Sequence, residues 1–148
     1  MKQHNMEQNQ VNIKVKKIKD IEFSVNEAVT IENPEEFAIG FELTINIKLE
    51  DNTVELVLSA LFSDKLQGNV FMKIKTSNIF LLLELADFQN PDTNGFDIPD
   101  NLLITLLSLS ISHTRALLAK NAIGTTFSDL YIPIVNPSEL FKQLFIKE

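Results

Sequence analysis

The sequence predicts an α+β domain in which a four-stranded antiparallel sheet is followed by a long helix and a short C-terminal helix. Apolar and polar residues alternate strictly between positions 39 and 49, which is typical of an antiparallel strand with one wet face. A continuous helical segment, Leu102–Lys120, follows the strands. The short helix is expected to begin at a cap formed by Asn136 or Ser138 and to end by Ile146.

Length and composition set broad limits. The 148 residues fit one domain over residues 11–148, preceded by a Gln- and Asn-rich tail, residues 1–10, that we expect to be disordered. The net charge of −7 argues against nucleic acid as a partner, and the absence of cysteine excludes disulfides and thiolate metal sites. Because Ser108 and Ser110 interrupt the longest apolar segment and no signal peptide is visible, we expect a cytoplasmic protein without membrane insertion.

The first predicted strand extends from Val11 to Val25. Its apolar residues keep one phase before and after an interruption: Val11, Ile13, Val15, Ile21, Phe23 and Val25. The interruption at Lys17 and Lys19 predicts a bulge or bend near Lys17, with Ile18 on the opposite face. Residues 26–36 are then expected to form a connecting loop.

The next two strands are predicted to form a hairpin. The alternating segment 39–49 is followed by a short turn at Asp51 and Asn52. A second alternating segment begins directly after it, at Val54, with the same period of two. Two such segments joined by a tight polar turn are typical of antiparallel neighbours.

A fourth strand follows a second turn, at residues 65–69. This strand is expected to begin at Val70 and to extend as far as Leu85. Every residue between 79 and 83 is apolar. Since side chains in a strand point alternately to both faces, we expect this end of the strand to be covered on both sides.

The long helix has recognisable end signals. Pro99 suits the first helical position, where its missing N–H would have no partner, and Asp97 and Asp100 place negative charge at the positive end of the helix dipole. Lys120 falls in the last turn, and Gly124 can adopt the left-handed conformation that commonly ends a helix.

Apolar residues cover most of the circumference of this helix: Leu102, Leu103, Ile104, Leu106, Leu107, Leu109 and Ile111. A helix that is apolar nearly all round is expected to be buried nearly all round. One small sheet covers only part of it, so the sequence predicts a partner subunit and an assembly of at least a dimer.

Catalytic and metal-binding patterns are weak. His113 is followed by Arg115, but Ser112 is adjacent to His113 and adjacent helix residues do not face each other. We therefore interpret His113 as structural and expect Arg115 to pair with a carboxylate of a neighbouring strand or subunit. The carboxylate pairs Glu35–Glu36 and Asp97–Asp100 lack histidine or cysteine neighbours and suit at most a weak hard-cation site. Neither an enzyme nor a cofactor is predicted.

Apolar surface is present in excess. Eleven phenylalanines and the apolar segment 79–83 exceed what one sheet and two helices are expected to bury. This surface is either an ordinary oligomer interface or a site that takes up unfolded or extended polypeptide. The candidate residues for either role are Phe23, Phe41, Leu43, Ile79, Phe80, Leu103, Leu107, Phe127 and Phe141.

The order of these features resembles the SecB family of bacterial export chaperones. The residues that carry the resemblance are Lys19-Asp20-Ile21-Glu22-Phe23, Ile74 with Ile79-Phe80, Pro99-Asp100-Asn101-Leu102, Arg115, and the series Gly124, Phe127, Leu130, Pro133, Asn136, Leu140 and Phe141. The resemblance implies a dimer of dimers with the long helices between two sheets. It also implies ATP-independent holding of non-native polypeptides along apolar grooves.

The chain departs from the pattern of that family at two positions and at its end. Leu106-Leu107-Ser108 stands where the family often has Phe-Pro-Tyr, and Ser24 replaces a second acidic residue of the first strand. The long polar tail that helps family members dock on the translocase motor is missing after Glu148. The resemblance implies a possible partner contact at Asp20 and Glu22, and we expect any contact with the motor to be weak.

The resemblance leaves the biological role open. A SecB-like chaperone serves either general export or one dedicated client, such as an antitoxin. The alternative is a SecB-like fold that acts as a ligand-binding or structural oligomeric module without chaperone activity. Suppression of the aggregation of an unfolded protein distinguishes the two classes.

Overall fold

The computed structural model of the protein describes residues 12–31 and 34–145. The strands are β1 (Ile13–Val25), β2 (Phe37–Lys48), β3 (Thr53–Asp64) and β4 (Val70–Leu82), and the helices are α1 (Asp100–Asn121) and α2 (Pro137–Phe145). Short 3-10 turns lie at Pro34–Glu36, Leu49–Asp51 and Leu85–Phe88. The predicted tail, residues 1–10, and the expected end of the second helix at Ile146 lie outside the described residues.

The four strands form one antiparallel sheet in the order β1-β4-β3-β2. Two consecutive hairpins join β2, β3 and β4, and the first turn lies at Asp51 and Asn52, as predicted. Asn52 adopts a left-handed conformation there (φ 57°). β1 returns to pair with β4. The predicted fold class, a four-stranded antiparallel sheet followed by a long and a short helix, is confirmed.

One face of the sheet, called here the inner face, packs against α1. Its central strands contribute side chains that are almost fully buried: Val54, Leu56, Leu58, Ala60, Phe62, Met72, Ile74, Phe80 and Leu82. The buried residues of α1 that complete the core are Leu102, Leu106, Leu107, Ser110, Ile111, Thr114 and Leu118. The opposite face of the sheet is called the outer face.

Two bulges interrupt β1. Register shifts separate Val15 from Lys17 and Asp20 from Glu22. The first confirms the bulge predicted near Lys17, and the second was not predicted. Each one-residue bulge reverses the face to which the following side chains point, so the second bulge reverses the effect of the first. Phe23 therefore lies on the inner face, opposite Ile74. The expectation for Ile18 was wrong: this residue lies opposite Asn78, whose side chain is buried on the inner face.

β4 ends earlier than predicted, at Leu82, because the chain turns into the 3-10 segment Leu85–Phe88. The single chain covers residues 79–83 on one side only, so cover of the other side by a partner subunit stays a prediction. Phe80 and Leu82 are fully buried on the inner face, but Leu81 on the outer face is only half-buried. Leu83, beyond the strand, is 52% exposed.

The ends of α1 follow the sequence signals with one shift. Pro99 is the N-cap and has an extended conformation (ψ 145°), so it precedes the first helical residue instead of occupying that position. Asp100 lies in the first turn and Lys120 in the last turn, as predicted. The left-handed conformation predicted for Gly124 is confirmed, with φ 88°.

α1 is not buried all round in the single chain, and its burial by a partner subunit stays a prediction. The residues on its open side are Asn101, Thr105, Leu109, Ser112, Ala116 and Lys120. Leu109, which is 37% exposed, is the large apolar residue of this stripe. The chain itself covers more of the helix than expected, because the C-terminal segment and α2 pack against α1. Phe127, Ile132 and Leu140 of that segment are buried.

The length and composition of α1 would also allow it to span a membrane. The core helix of a soluble protein meets the same criterion. In this structure the apolar side of α1 packs against β1, β3 and β4.

Aromatic contacts and a cap position the C-terminal segment. The rings of Phe62 and Phe71 lie 6.2 Å apart, and those of Phe71 and Phe127 lie 4.6 Å apart, so contacting rings connect β3 to the segment after α1. Asn136 Oδ1 accepts hydrogen bonds from the backbone N–H groups of Ser138 and Glu139 at 3.0 and 3.2 Å. Asn136 is thus the predicted cap of α2.

Candidate functional site

The inner face of β2 carries a row of large apolar side chains that are only half-buried. β2 pairs with β3 without any register shift, and exposed and half-buried residues alternate along its whole length. The half-buried residues of the row are Ile39, Phe41, Leu43, Ile45 and Ile47. They remain partly open because α1 packs against β1, β3 and β4, and β2 is the strand at the far edge of the sheet.

A concavity of about 420 Å³ continues this row at the end of β2. Ile45 and Ile47 form one wall. Phe96 and Ile98 from the loop before α1, together with Leu103 of α1, form the other. Carboxylates of Asp97 and Asp100 lie at its rim. We call the β2 row together with Phe96, Ile98 and Leu103 the apolar surface.

A tight loop before α1 holds Phe96 in place. Phe96 pairs with Gln89 in an isolated β-bridge, and the N–H of Asn90 donates to the carbonyl of Gly95 at 2.7 Å. Asn94 has a left-handed conformation (φ 62°), which closes the loop. The backbone therefore presents Phe96 against the end of β2.

The two edges of the sheet differ in how they are protected. β1 carries two bulges and several lysines, both of which discourage pairing with a further strand. β2 is regular over Phe37–Lys48 and has no bulge. The apolar surface therefore lies beside the edge that is better suited to accept an extended chain.

The structure brings only some of the predicted site residues together. Phe41, Leu43 and Leu103 belong to the apolar surface. Phe23 is half-buried on the inner face of β1, and Ile79 lies on the outer face. The remaining candidates are core residues with at most 5% of their side chains exposed: Phe80, Leu107, Phe127 and Phe141. In the folded chain these four are not open to a client or a partner.

Sequence reasoning missed part of the apolar surface. Ile39, Ile45 and Ile47 were visible in the alternating pattern of β2, but nothing in that pattern separated a half-open strand from a covered one. Phe96 and Ile98 lie in an irregular loop without periodicity, so no local signal placed them beside β2.

Asp20 and Glu22, the predicted partner contact, lie on opposite faces of the sheet. Asp20 is opposite Thr76 on the inner face, and its Oδ2 accepts a hydrogen bond from Asn121 Nδ2 at 2.8 Å. Glu22 is opposite Lys75 on the outer face. The bulge at Ile21 separates the two faces, since one extra residue reverses the direction of the following side chains. A contact made by both residues at once stays a prediction.

His113 belongs to a polar network buried between the sheet and α1. Its Nδ1 lies 2.9 Å from Asn78 Oδ1, and Thr76 Oγ1 lies 2.8 Å from Thr114 Oγ1. Burial lowers the pKa of His113, so the imidazole is held in its neutral form. Each polar side chain of this network has a hydrogen-bond partner among the described residues, which is consistent with a structural role for His113.

Arg115 differs from its prediction. Within the described part of the chain, its guanidinium donates to backbone carbonyls instead of a carboxylate, from Nε to Ile132 and from Nη2 to Pro133, each at 2.8 Å. Arg115 thus ties the extended segment before α2 to α1. Within residues 12–31 and 34–145, no group of three or more histidine, cysteine, aspartate or glutamate residues is arranged to hold a metal ion.

Comparison with known proteins gives a likeness in structure but none in sequence. No family model matches the chain, and no curated protein sequence matches it. Among solved structures, the chain is similar to a SecB-like chaperone of Mycobacterium tuberculosis in complex with a peptide from an antitoxin. The two share 9% sequence identity with a TM-score of 0.48, over 84% of this chain and 88% of the other.

Proposed function

We propose that the protein is an ATP-independent holding chaperone that binds extended segments of non-native polypeptides on the apolar surface. The observation that carries this proposal is the half-open row of Ile39, Phe41, Leu43, Ile45 and Ile47 along an edge strand. Folded monomers rarely leave such a continuous apolar row open unless it meets a partner.

Two physical effects support binding of an extended chain. Burial of apolar client side chains against the row contributes roughly 25 cal/mol per Å² removed from water. The unprotected edge of β2 also offers backbone N–H and C=O groups, with which an extended client can pair as an added strand. Backbone pairing and apolar contact both tolerate many client sequences, which suits a holding chaperone.

The assembly and the cellular role belong to the same proposal. We propose a cytoplasmic homotetramer, a dimer of dimers, that associates through the open stripe of α1 around Leu109. Its clients are either proteins destined for export or one dedicated partner. Any contact with a translocase motor is weak in this proposal.

A second candidate function rests on the same residues. If another copy of the chain covers the apolar surface permanently, the protein is an oligomeric structural or ligand-binding module without chaperone activity. The two candidates differ in one property: only the chaperone keeps the apolar surface accessible in the assembled state.

The test is whether the protein prevents the aggregation of a chemically unfolded model protein after dilution, without ATP. Light scattering should fall as the protein is added. Leu43→Lys places a charge within the apolar row and should abolish the effect, whereas Thr44→Lys places the same charge on the outer side of β2 and should leave it intact. The proposal would be contradicted if both variants still protected the client, or if the original protein gave no protection.

A further inference from the structure

The outer face of the sheet is basic although the chain as a whole carries a net charge of −7. At one end of this face, lysines line a shallow concavity of about 280 Å³. Lys14 lies on the same face, because it is opposite Leu81 of the outer face. We define the lysine cluster as Lys14, Lys16, Lys17, Lys19 and Lys48. We propose that the lysine cluster binds a short acidic segment of a partner polypeptide.

The strand register places the lysines on two sides of the concavity, whose floor is formed by the outer faces of β3 and β4. Lys17 lies opposite Ile79, which is opposite Glu55 on β3. In the neighbouring row, Lys14 on β1 and Lys48 on β2 stand at opposite edges of the sheet. Three strand spacings separate these edges, about 14 Å in total, which leaves room for one extended chain between the charges.

Glu55 lies at the centre of the concavity, and its carboxylate already accepts hydrogen bonds from neighbouring residues of the sheet. Its carboxylate accepts hydrogen bonds from Ser77 Oγ and, at 3.0 Å, from Asn46 Nδ2. The hydrogen bond from Ser77 is the main cause of the lowered pKa of Glu55, and the charges of Lys19 and Lys48 lower it further. The carboxylate is therefore fixed in its ionised form, with its oxygens directed to neighbours on the sheet.

The charge balance of the concavity favours an incoming anion. Glu55 and Asp51 are the carboxylates that line it, and the lysine cluster outnumbers them. Lys19 and Lys48 attract the Glu55 carboxylate, which is itself held by hydrogen bonds from Ser77 and Asn46. All five side chains of the lysine cluster are exposed, so their ammonium groups can meet an external acidic group, and attraction between opposite charges also accelerates encounter.

The surroundings favour a short acidic polypeptide over a nucleic acid. Across the outer face, the row beyond Lys19 contains Glu22 at one edge, Lys75 inside the sheet and Glu42 at the other edge, so negative charges outnumber the positive one. A long polyanion bound here would extend over these carboxylates and over a protein of net charge −7, and both would repel it. A segment of a few acidic residues fits between the lysines and can place an aliphatic side chain on Ile79, which a phosphate backbone does not offer.

Fluorescence anisotropy with defined probes tests this proposal. The probes are a labelled peptide of alternating glutamate and leucine, the same peptide with glutamine for glutamate, and a single-stranded DNA of equal charge. We expect the acidic peptide to bind more tightly than both other probes at low salt. Its affinity should fall as salt rises, because the Debye length shortens to about 8 Å at physiological ionic strength.

Matched charge variants separate the lysine cluster from the charge of the whole protein. The triple variant Lys17→Gln/Lys19→Gln/Lys48→Gln should weaken binding of the acidic peptide about tenfold, since each exposed charge pair contributes a factor of roughly two to five. The control Lys65→Gln/Lys142→Gln/Lys147→Gln changes the net charge equally, outside both the cluster and the open stripe of α1, and should bind as the original protein does.

Three results would overturn the proposal: no binding of the acidic peptide, an equal loss in both triple variants, or tighter binding of the DNA. This surface lies on the face opposite the apolar surface. Protection of an unfolded client from aggregation should therefore be the same in the original protein and in both triple variants. Failure of this proposal is thus distinguishable from failure of the proposed chaperone function.

Discussion

His113 donates a hydrogen bond from Nδ1 to Oδ1 of Asn78 across the interface between α1 and the sheet, at 2.9 Å. Its direction follows from the amide group of Asn78, whose nitrogen donates to the carbonyl of Leu56 and to Thr76 Oγ1, both at 3.1 Å. The amide oxygen is therefore left as the acceptor, and the neutral imidazole carries its proton on Nδ1. This bond links the polar network of the core to the titration of one histidine.

We predict that the protein loses stability as the pH falls through about 6.5. Burial lowers the pKa of His113 in the folded chain, so the unfolded chain binds a proton at a higher pH than the folded chain does. The contribution of His113 is fully present above the pKa of the unfolded chain and is lost as the pH decreases below it. Urea denaturation between pH 7.5 and 5.5 measures the effect. A His113→Gln variant should show a flatter profile, and an unchanged profile would contradict the assignment.

Gly124→Val should destabilise the protein by more than about 1 kcal/mol, because a β-branched residue is strongly disfavoured at positive φ. Gly124 has φ 88°. The matched control is Gly40→Val, since Gly40 lies in a strand and a Cβ there meets no atom within 4 Å. We expect the control to be neutral or stabilising. Equal melting temperatures for the two variants would count against the role given to Gly124.

Charges at two neighbouring positions of α1 should act differently. Leu107 is fully buried in the core, so Leu107→Lys should unfold the chain, because an unpaired buried charge costs several kcal/mol. Leu109 lies on the open stripe, so Leu109→Lys should leave the fold intact and dissociate the assembly. Light scattering and circular dichroism distinguish these outcomes. A folded monomer of the original protein at micromolar concentration would contradict the predicted assembly.

Docking on a translocase motor is predicted to be weak at physiological salt. The inner-face position of Asp20, its hydrogen bond to Asn121 and the serine at position 24 leave little acidic surface on β1. The outer face is basic instead. A titration of the protein with the purified motor from the same host measures the affinity. Tight binding that Glu22→Gln abolishes would show that an acidic contact persists on this face.

The sequence predicted the local structure well where a single residue type decides it. Short-range rules that act within a few residues account for the strict alternation of β2, the turn at Asn52, the positive φ of Gly124 and the cap at Asn136. The order of strands and helices could be predicted from the same patterns. The alternation of apolar and polar residues with a period of two ends, and a continuous helical segment follows it.

The candidate site was less predictable because it depends on where α1 lies over the sheet. Phe80 and Phe41 both occupy inner-face positions, but α1 covers the first and leaves the second half-open. The partner of Arg115 depends in the same way on a segment that returns after α1. The second bulge of β1 separates Asp20 from Glu22, and no residue type at Ile21 marks it.

The most direct test of the account is amide hydrogen exchange of the protein with and without a permanently unfolded client. If extended polypeptide binds beside β2, exchange should become slower at residues 39–47 and 96–103 when the client is present, and it should not change in β1. Protection confined to β1 or to the open stripe of α1, or no protection at all, would contradict the assignment of β2 as the binding edge.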